Sequence, residues 1–334
     1  MDLAPGAASS SLSDSDLALV DAVQDDPRAP WARLGAQLGI SAPTARRRWE
    51  RLRGSDSAWI TTHAGWRSGV VTALIAVQCR PGTSDAIART LVGHPRVMTI
   101  AHTTGDHDLL LTVMVPDILE LRRLMQSGLT SHDGVVRMRS MLVTRMFRDG
   151  SHWRSGSLGS TTCSATSTDG PLRFPTPALR AAIGVLERDG RAPSSALAAT
   201  LGVSEPHARR FVRRAIRSGH IVQRVDVRLD QPHWPHSLVL WMVVPAARLH
   251  ETADRISQLP LARACASLAG GGANLYTVVW LRSLAEAPDV EARIVRGLDV
   301  RVTERSILLH YGKRMGHVFD DRHRRTGHVP WASP

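Results

Sequence analysis

The feature that most limits how this chain can fold is an ungapped internal repeat. Residues 28–52 read RAPWARLGAQLGISAPTARRRWERL and residues 191–215 read RAPSSALAATLGVSEPHARRFVRRA. The offset of 163 positions (28 to 191) also carries Gly39 onto Gly202, Ser41 onto Ser204 and Arg47 onto Arg210. Such a repeat implies two copies of one supersecondary unit, and 334 residues leave room for several modules of ordinary size. With 43% hydrophobic residues the chain has enough apolar side chains to build cores.

Each copy has the signals of a helix-turn-helix. From Ser13 an acidic start leads into Leu17, Val20 and Val23 at helical spacing, and Pro27 ends that helix. Trp31–Leu38 is a short second helix, followed by Gly39 where a left-handed residue is needed. Ser41 is placed to cap the third helix, and Pro43 fits its first turn. On a helical wheel Ala45, Trp49 and Leu52 share the inward side, while Pro43, Thr44, Arg47 and Arg51 face out. In the second copy Ala208, Val212 and Ala215 turn inward, and Pro206, His207, Arg210 and Arg214 outward.

Arginine suits a major-groove helix because its fork bonds guanine bidentately or clamps a phosphate. Thr44, Arg47, His207 and Arg210, near the helix starts, are the candidates for base edges. Arg46, Arg48, Arg51, Arg209, Arg213, Arg214 and Arg217 are the candidates for phosphate, with Ser41, Pro43 and Ser204 at the turns. The competing reading makes these arginines solvated helix faces; their repetition in the same Gly–Ser turn favours DNA. The formal charge of +12 also favours a polyanionic partner. Lys313 is the one lysine among 42 basic residues, so the placement of the arginines carries more weight than their number.

Downstream of each repeat the pattern changes to βαββαβ. In the first half strands are expected at Val70–Cys79, Val97–Thr103, Leu109–Val115 and Val135–Phe147, with helices at Ser84–Val92 and Pro116–Gly128. In the second they are expected at Leu238–Val244, Ala264–Leu268, Leu275–Leu281 and Val300–His310, with helices near Arg248–Gln258 and Asp289–Arg296. This is the ferredoxin-like order, a sheet with helices on one face. The face carrying Ile75, Val77, Leu111 and Val113 is expected to need a partner, which the sheet of the other half can supply as an internal dimer. The fold class is therefore α+β, with two winged helix-turn-helix domains alternating with two ferredoxin-like sensor domains.

The expected division is a flexible N-terminus over 1–12, a first helix-turn-helix over 13–62, a first sensor over 68–148 and a Ser/Thr/Gly-rich linker over 149–175. A second helix-turn-helix over 176–230, a second sensor over 236–312 and a basic tail over 313–334 complete it. The distant cysteines Cys79, Cys163 and Cys265 form no disulfide or metal pattern. The start is acidic and serine-rich, and no apolar run is long enough to span a bilayer; the expectation is a cytoplasmic protein with no membrane partner.

Ile40-Ser41-Ala42-Pro43-Thr44-Ala45-Arg46-Arg47-Arg48-Trp49-Glu50-Arg51-Leu52, with Gly105-Asp106-His107-Asp108-Leu109-Leu110-Leu111 entering the third sensor strand, resembles the leucine-responsive/AsnC family of regulators. The resemblance covers most of residues 13–147 and, more loosely, 176–312. It implies a transcriptional regulator that binds double-stranded DNA through the helix-turn-helix and an amino acid or related metabolite at subunit interfaces, as a homo-oligomer with its halves paired. It places Gly105, Asp106 and Asp108 beside effector, although a sharp turn would use the same residue types for conformation alone. In the second half the matching stretch contains Gly271 and Asn274 and lacks both carboxylates.

Sirohaem decarboxylases are also similar, pairing such domains in two related halves, with chemistry assigned to histidine and arginine. His94, His102 and His107, with His233 and His236, would be the candidates here, against the plainer reading of scattered loop histidines. Neither a nucleophile motif, a phosphate loop nor a metal-ligand spacing is present. No catalytic residue, cofactor or metal is therefore assigned, and a non-enzymatic regulator is expected.

Overall fold

The computed structural model describes residues 12–126, 132–158, 176–228 and 234–331; the expected N-terminus over 1–11, residues 159–175 of the linker, His233 and the end of the Pro116–Gly128 helix lie outside them. The first head is α1 (Asp14–Asp25), α2 (Trp31–Leu38) and α3 (Ala42–Gly54), followed by strand β1 (Ala58–Ala64). Ser13 caps α1 in a reciprocal capping box with Asp16. The helices close over Leu17, Val20, Val23, Leu34, Trp49 and Leu52.

The first sensor comprises β2 (Val71–Cys79), α4 (Ser84–Val92), β3 (Val97–Thr103), β4 (Leu109–Val115), α5 (Ile118–Leu124) and β5 (Val135–Arg148). The second head repeats the first as α6 (Thr176–Arg188), α7 (Ser194–Leu201), α8 (Glu205–Arg217) and β6 (Ile221–Val227). The second sensor follows as β7 (His236–Val243), α9 (Leu249–Ser257), β8 (Ala262–Ala269), β9 (Leu275–Leu281), α10 (Ala287–Val295) and β10 (Arg301–Arg314).

The two sensors close on each other edge to edge. The N-terminal part of β5 pairs with β2 and its C-terminal part with β8, while β10 pairs first with β7 and then with β3. Following these pairs from β3 through β4, β2, β5, β8, β9, β7 and β10 returns to β3, so the ring presents no open sensor edge.

Because the side-chain period of a strand is two, each sheet has an odd and an even face in the first sensor. Ile75, Val77, Leu111 and Val113 pack under α4 and α5 with Ile87, Leu91 and Leu121. The face between the sensors instead carries Leu74, Ala76, Leu110 and Met141 against Val239, Trp241, Leu268 and Val278. The expectation had the two faces inverted. Both faces are apolar because both are covered, so alternation alone could not assign them.

Two further differences concern boundaries. Residues 149–153 are not loose linker: Trp153 is buried against Trp234 and Trp280. The segment expected as a basic tail continues β10 and adds β11 (His317–Phe319) and β12 (Arg325–His328). Its last described residue is buried Trp331, whose indole donates to Met114 O at 2.9 Å. Lys313 within it is fully buried, its Nζ donating to His94 O at 2.9 Å. No helix among the described residues is long and apolar enough to cross a membrane.

Candidate nucleic-acid interface

The turn before each third helix has the backbone its sequence requires. Gly39 and Gly202 sit at φ 66° and 65°, in the left-handed region. Ser41 and Ser204 follow with matching extended backbone, φ −69° and ψ 151° or 153°. Ser41 Oγ accepts the Thr44 N–H at 3.3 Å and lies 2.8 Å from Thr44 Oγ1. Ser204 has the same backbone but makes no side-chain cap.

In α3 the buried residues are Ala45, Trp49 and Leu52, and in α8 Ala208, Val212 and Ala215. Arg46, Arg47, Arg51, Arg209, Arg210, Arg213, Arg214 and His207 are exposed, with Pro43 and Pro206 beside them; Thr44 and Arg48 are half-buried. Arg46 and Arg51 already have protein partners. Arg46 Nε pairs with Glu50 at 2.7 Å, and Arg51 reaches buried Asp16 of α1 at 2.5 Å, so Arg51 braces α3 against α1. Arg47, Arg210 and Arg213 make no ion pair within the described residues and stand out from their helices.

A junction of matched parts sets the heads relative to each other. β1 and β6 pair antiparallel along their whole length, from Ala58 opposite Val227 to Ala64 opposite Ile221. Each head's wing position is thus a single strand paired with that of the other head. Arg28 donates to Gly190 O at 2.9 Å and Ala192 O at 2.7 Å; Arg191 donates to Pro27 O at 2.6 Å and Ala29 O at 2.5 Å. The same residues of the repeat make the same contacts in both directions, which is the mark of an approximate twofold axis. Burial, and next the Arg28 charge, lower the Arg191 guanidinium to about 10, while its face lies 4.0 Å from the Trp31 ring. Sequence reasoning missed this junction, although Arg28 and Arg191 open the two repeats.

In the sensors Gly105 takes φ 100° where β3 turns into β4. Asp108 Oδ2 accepts the Cys79 N–H at 2.6 Å, so that carboxylate holds the turn. Asp106 is exposed and lines a cavity of about 170 Å³ with Ala76, Gln78, His107, Arg137 and Arg139. His107 is buried 2.7 Å from Glu304, which Arg139 meets at 2.5 Å; burial, outweighing Glu304, lowers the imidazole's pKa. In the second copy Gly271 has φ 81°, and the Asn274 amide bonds both N and O of Val244, at 2.9 and 2.7 Å. There Asn274 shapes the loop.

The candidate histidines do not converge. His94 Nδ1 accepts the Arg96 N–H at 3.1 Å, His102 lies 3.6 Å from Asp85, and His107 belongs to the Glu304 group. His236 starts β7 opposite Leu281. Among the described residues no group of His, Cys, Asp or Glu is placed to hold a metal ion.

Two family models match: the AsnC-type helix-turn-helix domain over residues 12–53 and the Lrp/AsnC ligand binding domain over residues 72–152. The Bkd operon transcriptional regulator of Pseudomonas aeruginosa is 30% identical over 131 residues, 37% of this chain and 86% of that protein. The HTH-type transcriptional regulator LysM of Saccharolobus solfataricus is 25% identical over 135 residues, 40% of this chain and 94% of that one. The siroheme decarboxylase NirDL superimposes with a TM-score of 0.58 at 17% identity, covering 91% of this chain and 93% of that one. This last likeness is one of fold.

Proposed function

The chain belongs to the Lrp/AsnC family, and on that premise we propose that it is a DNA-binding transcriptional regulator whose two heads read major-groove half-sites. The observation that carries the reading is the pair of exposed arginine-bearing helices, α3 and α8, held by one junction with repeat-related contacts. A helix presented by its N-terminal residues fits a major groove, and two heads about a twofold axis suit two half-sites. Arg47, His207 and Arg210 are assigned to base edges, and Arg48, Arg209 and Arg213 to phosphate.

The proposed effector is an amino acid or related metabolite in the cavity at Asp106. Its exposed carboxylate can take an ammonium, and Arg137 and Arg139 of the same lining can take a carboxylate. Gly105 supplies the positive φ of the turn beside it, while Asp108, Gly271 and Asn274 serve loop geometry. Exposed Ile118, Leu119 and Val136 offer apolar surface for further copies in a homo-oligomer.

The test is binding to DNA from upstream of the protein's own coding region and to a scrambled duplex across a salt series. Preference for the upstream DNA is expected, with Arg47→Ala and Arg210→Ala each weakening binding about tenfold or more, the scale of one bidentate base contact. Equal binding to both duplexes, unchanged in the variants, would refute the assignment. A second reading, an enzyme like the sirohaem decarboxylases, is favoured by the full-length fold likeness; a saturable visible absorbance change on adding sirohaem, followed by carbon dioxide release, would establish it instead.

A further inference from the structure

The largest concentration of buried charge lies away from both sites above, where the β1–β6 ribbon crosses one end of the sensor ring. A cavity of about 170 Å³ opens there. Its floor is apolar, from Leu74, Met114, Val143 and Val278, and its charged wall holds Arg224 of β6, Arg263 of β8 and Arg314 of β10.

The central carboxylate, Asp226, is already committed. Asp226 accepts from Thr61 Oγ1 at 2.7 Å, Arg224 Nε at 2.9 Å, Arg314 Nη2 at 2.8 Å and Arg263 Nη2 at 3.2 Å, which fills its capacity. Asp149 turns to the Ser151 N–H at 2.8 Å and to His152 at 3.2 Å. Three guanidinium charges therefore face two carboxylates. Arg263 and Arg314, each 6% exposed, both leave Nη1 buried without a hydrogen-bond partner. Unmade hydrogen bonds on buried charged donors are costly. Burial, then the Arg314 and Arg224 charges, push the Arg263 guanidinium well below its usual range. Its plane meanwhile lies 4.4 Å from the Trp280 ring and 5.0 Å from Trp153.

We infer that this cavity is a second ligand site, for a small organic acid with an apolar body and no ammonium group. The free guanidinium edges match a carboxylate, and the floor matches the body. The volume is close to the roughly 150 Å³ cavity that accommodates benzene. With Asp226 filled by three guanidiniums and three such charges set against two carboxylates, the surplus charge of the site is positive and disfavours an α-ammonium, which separates this site from the one at Asp106. The bound acid would join the ribbon, through Arg224, to the sensors, through Arg263 and Arg314.

The full-length protein is titrated with phenylacetate, benzoate and 4-methylpentanoate up to about 10 mM, followed by tryptophan fluorescence, to which Trp280 in the cavity wall contributes, and by calorimetry. Phenylacetamide, 2-phenylglycine and chloride are the controls. At least one acid is expected to bind saturably, with its amide or amino analogue about tenfold weaker or more, the cost of one charge-assisted hydrogen bond. Arg263→Gln is expected to lose binding. Thr112→Phe, which fills the cavity and leaves every arginine in place, is expected to lose it equally while retaining the circular dichroism spectrum of the parent. The site is refuted by no saturable binding of any acid, by equal binding of acid and amide, by chloride competing as a simple anion, or by full binding in Thr112→Phe.

Discussion

Lys313 gives the sharpest quantitative test of the packing. Its ammonium is fully buried, and burial, only partly offset by Glu187, lowers its pKa from 10.5 to about 8. At 1.36 kcal/mol per pH unit this opposes folding by about 3 kcal/mol when the lysine is charged in both states. The depressed value means that the unfolded chain binds more protons between pH 8 and 10.5. The penalty is therefore complete below pH 8, fades as pH rises, and is gone above 10.5. Lys313→Met removes it at the cost of the hydrogen bond to His94 O, about 1 kcal/mol. The variant should be about 2 kcal/mol more stable at pH 7 and about 1 kcal/mol less stable near pH 11. Urea unfolding of both proteins from pH 7 to 11 reads the difference directly, and cancels the other groups that titrate in that range. A difference that stays constant with pH, or a variant less stable at pH 7, would refute the assignment of a buried, uncompensated ammonium.

Arg28→Met or Arg191→Met removes two hydrogen bonds between the heads and should cost about 2–3 kcal/mol in urea unfolding. The double variant should cost more than the sum, because the two guanidiniums repel and each single substitution already relieves that repulsion. Gly105→Ala places a side chain at φ 100°, with its Cβ 3.2 Å from Arg305 O of the other sensor; a loss of about 1–3 kcal/mol is expected in thermal unfolding. His328 is held at about 4 by burial and by Lys313 and Arg325, so it contributes stability above pH 6.5 that disappears as pH falls through 4. His328→Gln should move the acid-unfolding midpoint to lower pH, and an unchanged midpoint would count against the burial of this imidazole.

Much of the fold could be read from local signals. Gly39 with Ser41, and Gly202 with Ser204, mark the head turns because their backbone needs are met within a few residues. The strands Val97–Thr103, Leu109–Val115 and Leu275–Leu281 emerge from apolar runs between turns. What depends on distant partners was not legible. The region from Lys313 to Trp331 reads as a polar tail, yet its place is decided by His94, Met114 and Arg96, more than two hundred residues earlier. Arg263 falls just before the strand expected at Ala264–Leu268, and lies in β8 as observed. Nothing local announces that Arg224 and Arg314 meet it around Asp226. At the Gly105 turn the residue types alone could not separate a ligand contact from a turn; in the structure Asp108 holds backbone and Asp106 lines a cavity.

The pairing of β1 with β6 joins heads that one gene encodes separately. In a dimer of identical subunits every substitution in a reading helix appears twice, so both half-sites must change together. Here a substitution in α8 leaves α3 untouched, and the residues at equivalent positions already differ, Thr44 against His207 and Trp49 against Val212. On the proposed two-headed reading, the two half-sites of an operator are then free to diverge, and the DNA need not be a palindrome. Dilution also does not separate the two heads of one chain, so on that reading their joint engagement of DNA does not wait on an encounter between subunits.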